Sequence, residues 1–131
     1  MVEWLRAIRT ELALSPILRE LAICVVARLT GAQYEYHHHA PELKQAGATD
    51  AQLAVLDDPD AAATSVLYDD LQRAVLRFAI ASTREVKIPD RLFEELKQRL
   101  PPNELVELVA ATATYNMVAR FLVALEIVPE G

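Results

Sequence analysis

A single cysteine, Cys24, is all the thiol this chain has, so no internal disulfide can form and no two-cysteine redox cycle can run within it. Only three glycines occur, and none sits in a Gly-rich phosphate loop. Aromatic residues make up 6% of the chain against 53% for all hydrophobic types, so the apolar content is mostly Ala, Leu and Val. That balance favours helices packed on helices over a β-rich core. Lys and Arg form no cluster and the net charge is −6, which gives no electrostatic footprint for nucleic acid or an anionic membrane. The longest apolar run, Leu21 to Ala27, is far shorter than the roughly 20 residues of a membrane span. With no basic leader or apolar signal core in its first residues, the expected location is cytoplasmic.

What is present fits one domain of 131 residues. A chain this short buries only about two-thirds of the surface its unfolded form exposes, so the apolar excess predicts a homo-oligomer. Trp4, Leu5, Ile8 and Leu12 lie at helical spacing and predict a first helix over 3–12. Ser15-Pro16, a capping hydroxyl before a proline at the first helical position, opens a second helix to about Thr30 that is apolar on nearly all sides. Gly31 either ends or bends it. A polar, histidine-rich segment runs from Ala32 to about Ala46 and ends at Gly47, with Pro41 implying a kink or break. Thr49 and Gln52 form a capping-box pattern for a short helix through Leu56. Asp57 to Asp60 reads as a loop. An apolar stripe including Val66, Leu67, Leu71, Val75 and Leu76 predicts a helix over 65–83. Pro89-Asp90 starts another with Leu92, Phe93, Leu96 and Leu100 inward, and Pro101-Pro102-Asn103 opens a final core helix reaching Leu125.

Three places hold candidate chemistry. Glu20 stands just ahead of a run without charge, and either lies exposed, pairs with Arg19 or Arg28, or points inward, where burial would raise its pKa toward that of a useful base. Glu35 stands three and four residues from His38 and His39, so on a helix it can reach either imidazole, fix its tautomer and raise its basicity. Consecutive His37, His38 and His39 read as a solvated face or as metal ligands, but their spacing fits no signature such as His-Glu-x-x-His, and no metal or cofactor is assigned. Tyr115, Asn116 and Arg120 interrupt the final helix and either pair with carboxylates or line a cavity, where Arg120 would suit an acidic small molecule. Cys24 lies mid-run in the most apolar helix and reads as core.

The run Ser15-Pro16-x-Leu18-Arg19-Glu20-Leu21-Ala22-Ile23, then Val26-Ala27-Arg28-Leu29-Thr30, Tyr34-Glu35-Tyr36-x-His38-His39 and Ala46-Gly47 resembles the carboxymuconolactone decarboxylase family, which also contains the alkyl hydroperoxidase D proteins. Glu104 to Leu108 and Tyr115-Asn116-Met117 to Arg120-Phe121 extend the resemblance over most of the chain. It implies an all-α, compact multi-helix alkyl hydroperoxidase D-like fold assembled into trimers, hexamers or related rings, with pockets near subunit contacts. In the hydroperoxidase branch a glutamate precedes a Cys-x-x-Cys pair and a histidine. Glu20 and His39 match the glutamate and the histidine, while Ala32 and Glu35 stand at the two cysteine positions. In the decarboxylase branch Glu35 and His39 match the pair of a Glu-Leu-x-x-His pattern, with Tyr36 in place of Leu, whereas Tyr115 to Val118 replace a Gly-Val-Pro-type turn.

The resemblance therefore implies cofactor-independent acid/base chemistry of the decarboxylation type on a small carboxylate or lactone. Glu20, Glu35 and His39 are the expected catalytic residues, with Tyr34, His38, Tyr115, Asn116 and Arg120 around the substrate. A non-catalytic oligomeric binder of small molecules and a peroxidase-like protein that relies on a partner's thiol are the alternatives. Tyr34 and Tyr36 are read as lining either the pocket or a subunit contact.

Overall fold

The computed structural model describes residues 2–130, which form eight α-helices and no strand. Helix α2 (Pro16–Thr30) is the centre of the packing, in contact with α3 (Gln33–Gln45), α6 (Asp70–Glu85) and α8 (Pro102–Ala124). Helix α1 (Val2–Thr10) lies on α8, and the short α4 (Asp50–Val55) and α5 (Pro59–Ala62) join α3 to α6, which also carries α7 (Asp90–Arg99). This is the all-helical architecture expected.

Helix α2 begins where the hydroxyl of Ser15 accepts from the Leu18 amide and Pro16 opens the first turn. It ends rather than bends at Gly31, whose φ of +71° lets the Gly31 amide donate to the Arg28 carbonyl and the Ala32 amide to that of Ala27. That double bond satisfies two orphan carbonyls and turns the chain directly into α3. Leu21 to Ala27 are all buried between the neighbouring helices. Truncating Leu21 or Ile23 to Ala would cost about 2–5 kcal/mol each.

Pro41 does not break α3. The bond it cannot make is the one to the His37 carbonyl, and both residues are exposed, so water replaces the lost donor. Asp57 to Asp60 are not all loop either. Asp58 caps α5 by accepting from the Ala61 amide, with Pro59 at its first position. Helix α6 starts at Asp70, five residues later than the stripe suggests, because Asp69 and Gln72 form a reciprocal capping box. Val66 and Leu67 precede it and are exposed, Val66 to 93%. Tyr68 fills the place expected of them, fully buried with its hydroxyl donating to the Gln52 carbonyl (2.7 Å).

By length and composition alone α8 is long and apolar enough to cross a bilayer, which a count of unbroken apolar runs overlooks. Leu105, Leu108, Ala111, Thr112 and Tyr115 are nevertheless buried in the helical core.

Helix α6 ends in a backbone conformation costly for its residue. Val86 has φ +69° and ψ −51°, and the Lys87 amide donates to the Glu85 carbonyl across it (2.8 Å), a γ-turn of the strained positive-φ kind. A β-branched side chain is poorly accommodated there, and Val86 is exposed with no packing to lose. Val86→Gly is expected to stabilise the protein by about 1 kcal/mol, the relieved strain exceeding glycine's extra entropy when unfolded. A urea midpoint that falls in the variant would contradict this.

Candidate functional site

Glu20 occupies the second turn of α2, where burial of the neighbouring face carries it into the interior, 2% exposed. It is neither exposed nor paired with Arg28, which binds Asp57 (2.6 Å) and lies over the ring of Tyr36 (3.6 Å). Its partners are His39 and Arg19: Oε1 lies 2.6 Å from His39 Nδ1, and Oε2 accepts from Arg19 Nε at 2.9 Å. The turn at Gly31 folds α3 back along α2 and so brings His39 to it.

Glu35 stands one helical turn before His39, and its Oε2 is 3.1 Å from Nε2. Both ring nitrogens of His39, a residue 7% exposed, are thus engaged by carboxylates. Burial pulls the imidazole's pKa down, but hydrogen bonds and charge from Glu20 and Glu35 outweigh it and push the value up from 6.5 to about 9. His39 is therefore an imidazolium at neutral pH, donating from both nitrogens. For Glu20 burial acts upward, yet His39 and Arg19 together hold it below the ordinary value of 4.5. The raised Glu20 pKa expected from burial alone is overturned, because the carboxylate enters the interior with two cationic partners.

These groups open onto a cavity of about 510 Å³ where α1, α2, α3 and α8 meet. Tyr115 forms one wall, its ring edge-on to His39 with centroids 5.0 Å apart. Tyr34 and His38 also line it, their rings in tilted contact with centroids 4.4 Å apart. Asn116 and Arg120 do not line it. The Asn116 amide donates to Thr83 Oγ1 and the Thr112 carbonyl, and exposed Arg120 donates back to the Asn116 carbonyl (3.2 Å). Among the described residues Arg120 forms no salt bridge with any carboxylate, so neither arrangement expected of it is found. His37 is exposed outside the cavity, and Tyr36 faces Arg28. Among the described residues no group of three His, Cys, Asp or Glu is disposed to hold a metal ion. Sequence reasoning missed Arg9, on the first helix, and the part of Arg19 as a wall of the cavity. The signal for Arg19 was its place beside Glu20; Arg9 gave none.

The two shifts define a pH profile of stability. His39 contributes in full below its ordinary 6.5, and that contribution is lost as pH rises through about 9; Glu20 contributes above its ordinary 4.5 and is lost as pH falls through its lowered value. The charged and titratable groups that share the cavity with the imidazole are Glu20 and Arg19 on α2, Tyr34, Glu35, His38 and Glu42 on α3, Arg9 on α1 and Tyr115 on α8. The urea midpoint is expected to be highest between about pH 5 and 6.5 and to decline toward pH 9. His39→Gln should flatten the alkaline decline, and a wild-type midpoint constant from pH 6.5 to 9.5 would contradict the charged imidazole.

No curated protein matches this sequence. Among solved structures, a protein of unknown function from Agrobacterium tumefaciens, described as a candidate antioxidant defence protein AhpD, superposes with a TM-score of 0.87 at 19% identity, over 99% of this chain and 88% of the other. An uncharacterised peroxidase-related protein from Silicibacter sp. TM1040 superposes with a TM-score of 0.86 at 22% identity, over 99% of this chain and 68% of the other. At these identities the likeness establishes the fold. The profile of the carboxymuconolactone decarboxylase family matches residues 1–81, a stretch that contains Glu20, Glu35 and His39, and the chain belongs to that family.

Proposed function

We propose that this protein is a cofactor-independent acid/base enzyme that removes CO2 from, or moves a proton on, a small carboxylate or lactone. The observation that carries this reading is the His39 ring held between two carboxylates, one deeply buried and one at the cavity wall. Glu20 fixes the ring through Nδ1 and stabilises its charge. Since both ring nitrogens are occupied, Glu35 is the group that meets the substrate, and His39 is the reservoir behind it. In a decarboxylation the bond from carbon to the departing carboxylate breaks and its electron pair moves into the conjugated carbonyl. Glu35 first takes a proton from His39 Nε2 and, as the neutral acid, gives it to the resulting carbon; neutral His39 then regains its proton from water, and the hydroxide left combines with the CO2 as bicarbonate. A donor with a pKa of about 9 remains charged between turnovers at neutral pH.

Cys24 offers no thiolate to a peroxidase that borrows its second thiol, because it is fully buried and burial pushes its pKa well up. A homo-oligomer is part of the proposal, supported by the apolar side chains exposed at the end of α8 and beyond it, among them Phe121, Leu125 and Val128.

The reading is tested by incubating the protein in D2O with a panel of small carboxylic acids and unsaturated lactones bearing a carboxylate, and following CO2 release and carbon-bound deuterium by NMR. Turnover of one member is expected. Saturable binding across the panel without release or exchange would replace the enzyme with a binder.

A further inference from the structure

The hydroxyl of Tyr115 has no hydrogen-bond partner among the described residues, although the residue is only 4% exposed. It is not sealed in the interior, since no buried side-chain oxygen lacks a partner there. Tyr115 lines the cavity onto which Glu35 and His39 open. The ring is fixed by its edge contact with His39, so the hydroxyl is held beside the Glu35–His39 pair rather than swinging free.

Two guanidinium groups flank the same space. Arg19 donates to Glu20 only through Nε, which leaves its terminal nitrogens without an acceptor among the described residues. Arg9, on α1, lines the cavity and pairs with no carboxylate among the described residues. In a second cavity, of about 650 Å³, Arg77 is taken up by Glu95 and Arg84 by Asp60, and Arg91 pairs with no carboxylate among the described residues, but no phenol lines that cavity. Glu35 and Glu42 line the same cavity but bond to none of these donors, so the unused guanidinium nitrogens and the unpartnered phenol are a donor set with no bonded acceptor, and a carboxylate fits its planar geometry.

We infer that Tyr115, Arg9 and Arg19 form a carboxylate-binding subsite beside Glu35, so that the accepted molecule is an organic acid whose carboxylate rests there with its reacting carbon toward Glu35. The inference deepens the acid/base reading and rests on it for the chemistry alone. The carboxylate held here stays on the molecule, because guanidinium donors stabilise a carboxylate anion and oppose its loss as CO2. Burial, with the charges of Glu35 and Glu20, pushes the phenol's pKa up against the pull of Arg9 and Arg19, which keeps the hydroxyl a donor.

The experiment uses protein carrying ring-13C tyrosine, with the Tyr115 signal assigned by its loss in Tyr115→Phe. The probes are acetate, benzoate and succinate, the uncharged acetamide and benzamide, and inorganic phosphate. At least one carboxylate is expected to move the Tyr115 signal saturably while the amides do not, and Arg9→Gln is expected to weaken that binding about tenfold. The subsite is overturned if no carboxylate moves the signal, if an amide moves it as far, if phosphate alone does so, or if Arg9→Gln binds as tightly as wild type. Wild-type turnover separates the two readings: saturable carboxylate binding in a protein that turns nothing over sinks the enzyme and spares the subsite.

Discussion

Glu20→Ala is expected to lower the stability of the fold by about 3–5 kcal/mol and to bring the pKa of His39 down from about 9. The magnitude follows from what is left behind. Among the described residues Glu20 is the only carboxylate at His39 Nδ1 and the acceptor of Arg19 Nε, so its removal strands two donors, one buried and one partly buried. Leaving one member of a buried ionic group without its partner costs more than the intact group contributes. Glu20→Gln separates charge from shape, because it retains an oxygen acceptor and loses the charge. It should fall between wild type and Ala in urea midpoint, with His39 again lowered. Denaturation curves and 15N shifts of the imidazole give both readings. A loss below about 1 kcal/mol in Glu20→Ala would mean that the carboxylate is solvated and the buried triad is wrongly drawn.

The second large effect is on chemistry. Glu35→Gln is expected to reduce turnover of any accepted substrate by about 10²–10⁴-fold, the usual contribution of a positioned acid/base group, with little change in stability. Glu35 lies at the cavity wall, its side chain 12% exposed, and His39 keeps its stronger contact with Glu20 when the charge at Nε2 is removed. Glu35→Asp retains the carboxylate but shortens its reach by a methylene, and should recover part of the rate. Equal rates in wild type and Glu35→Gln would remove Glu35 from the mechanism. Equal losses in Asp and Gln would show that position matters as much as charge.

The all-helical class and the Glu35–His39 pair were legible because each rests on local rules. Ser15-Pro16 and Gly31 punctuate α2, and a spacing of four residues on α3 places Glu35 against His39. Glu20's direction was not legible, since the same residue ahead of an apolar run can face water or the interior, and α3 decides the matter by supplying an imidazole. Arg9 carried no signal because a basic residue on a short amphipathic helix is ordinary surface; only the docking of α1 on α8 turns it toward a cavity. Arg120 failed in the opposite sense: it interrupts an apolar helix and yet lies outside, where that helix emerges from the core. Asp58-Pro59 repeats the start signal of Ser15-Pro16 and was passed over because the surrounding acidic residues resemble a loop.

Helix α1 holds to α8 by few ties: Ile8 is its buried residue, and the indole nitrogen of Trp4 donates to Thr114 Oγ1 (2.8 Å), next to Tyr115. Trp4 is the only tryptophan in the chain. The protein thus carries an intrinsic fluorophore on the helix that supplies Arg9 to the cavity, half open to solvent and tethered by one hydrogen bond. Its emission wavelength and accessibility to a quencher report whether α1 is seated or lifted, with no label attached, so filling of the cavity can be followed optically before any reaction is known.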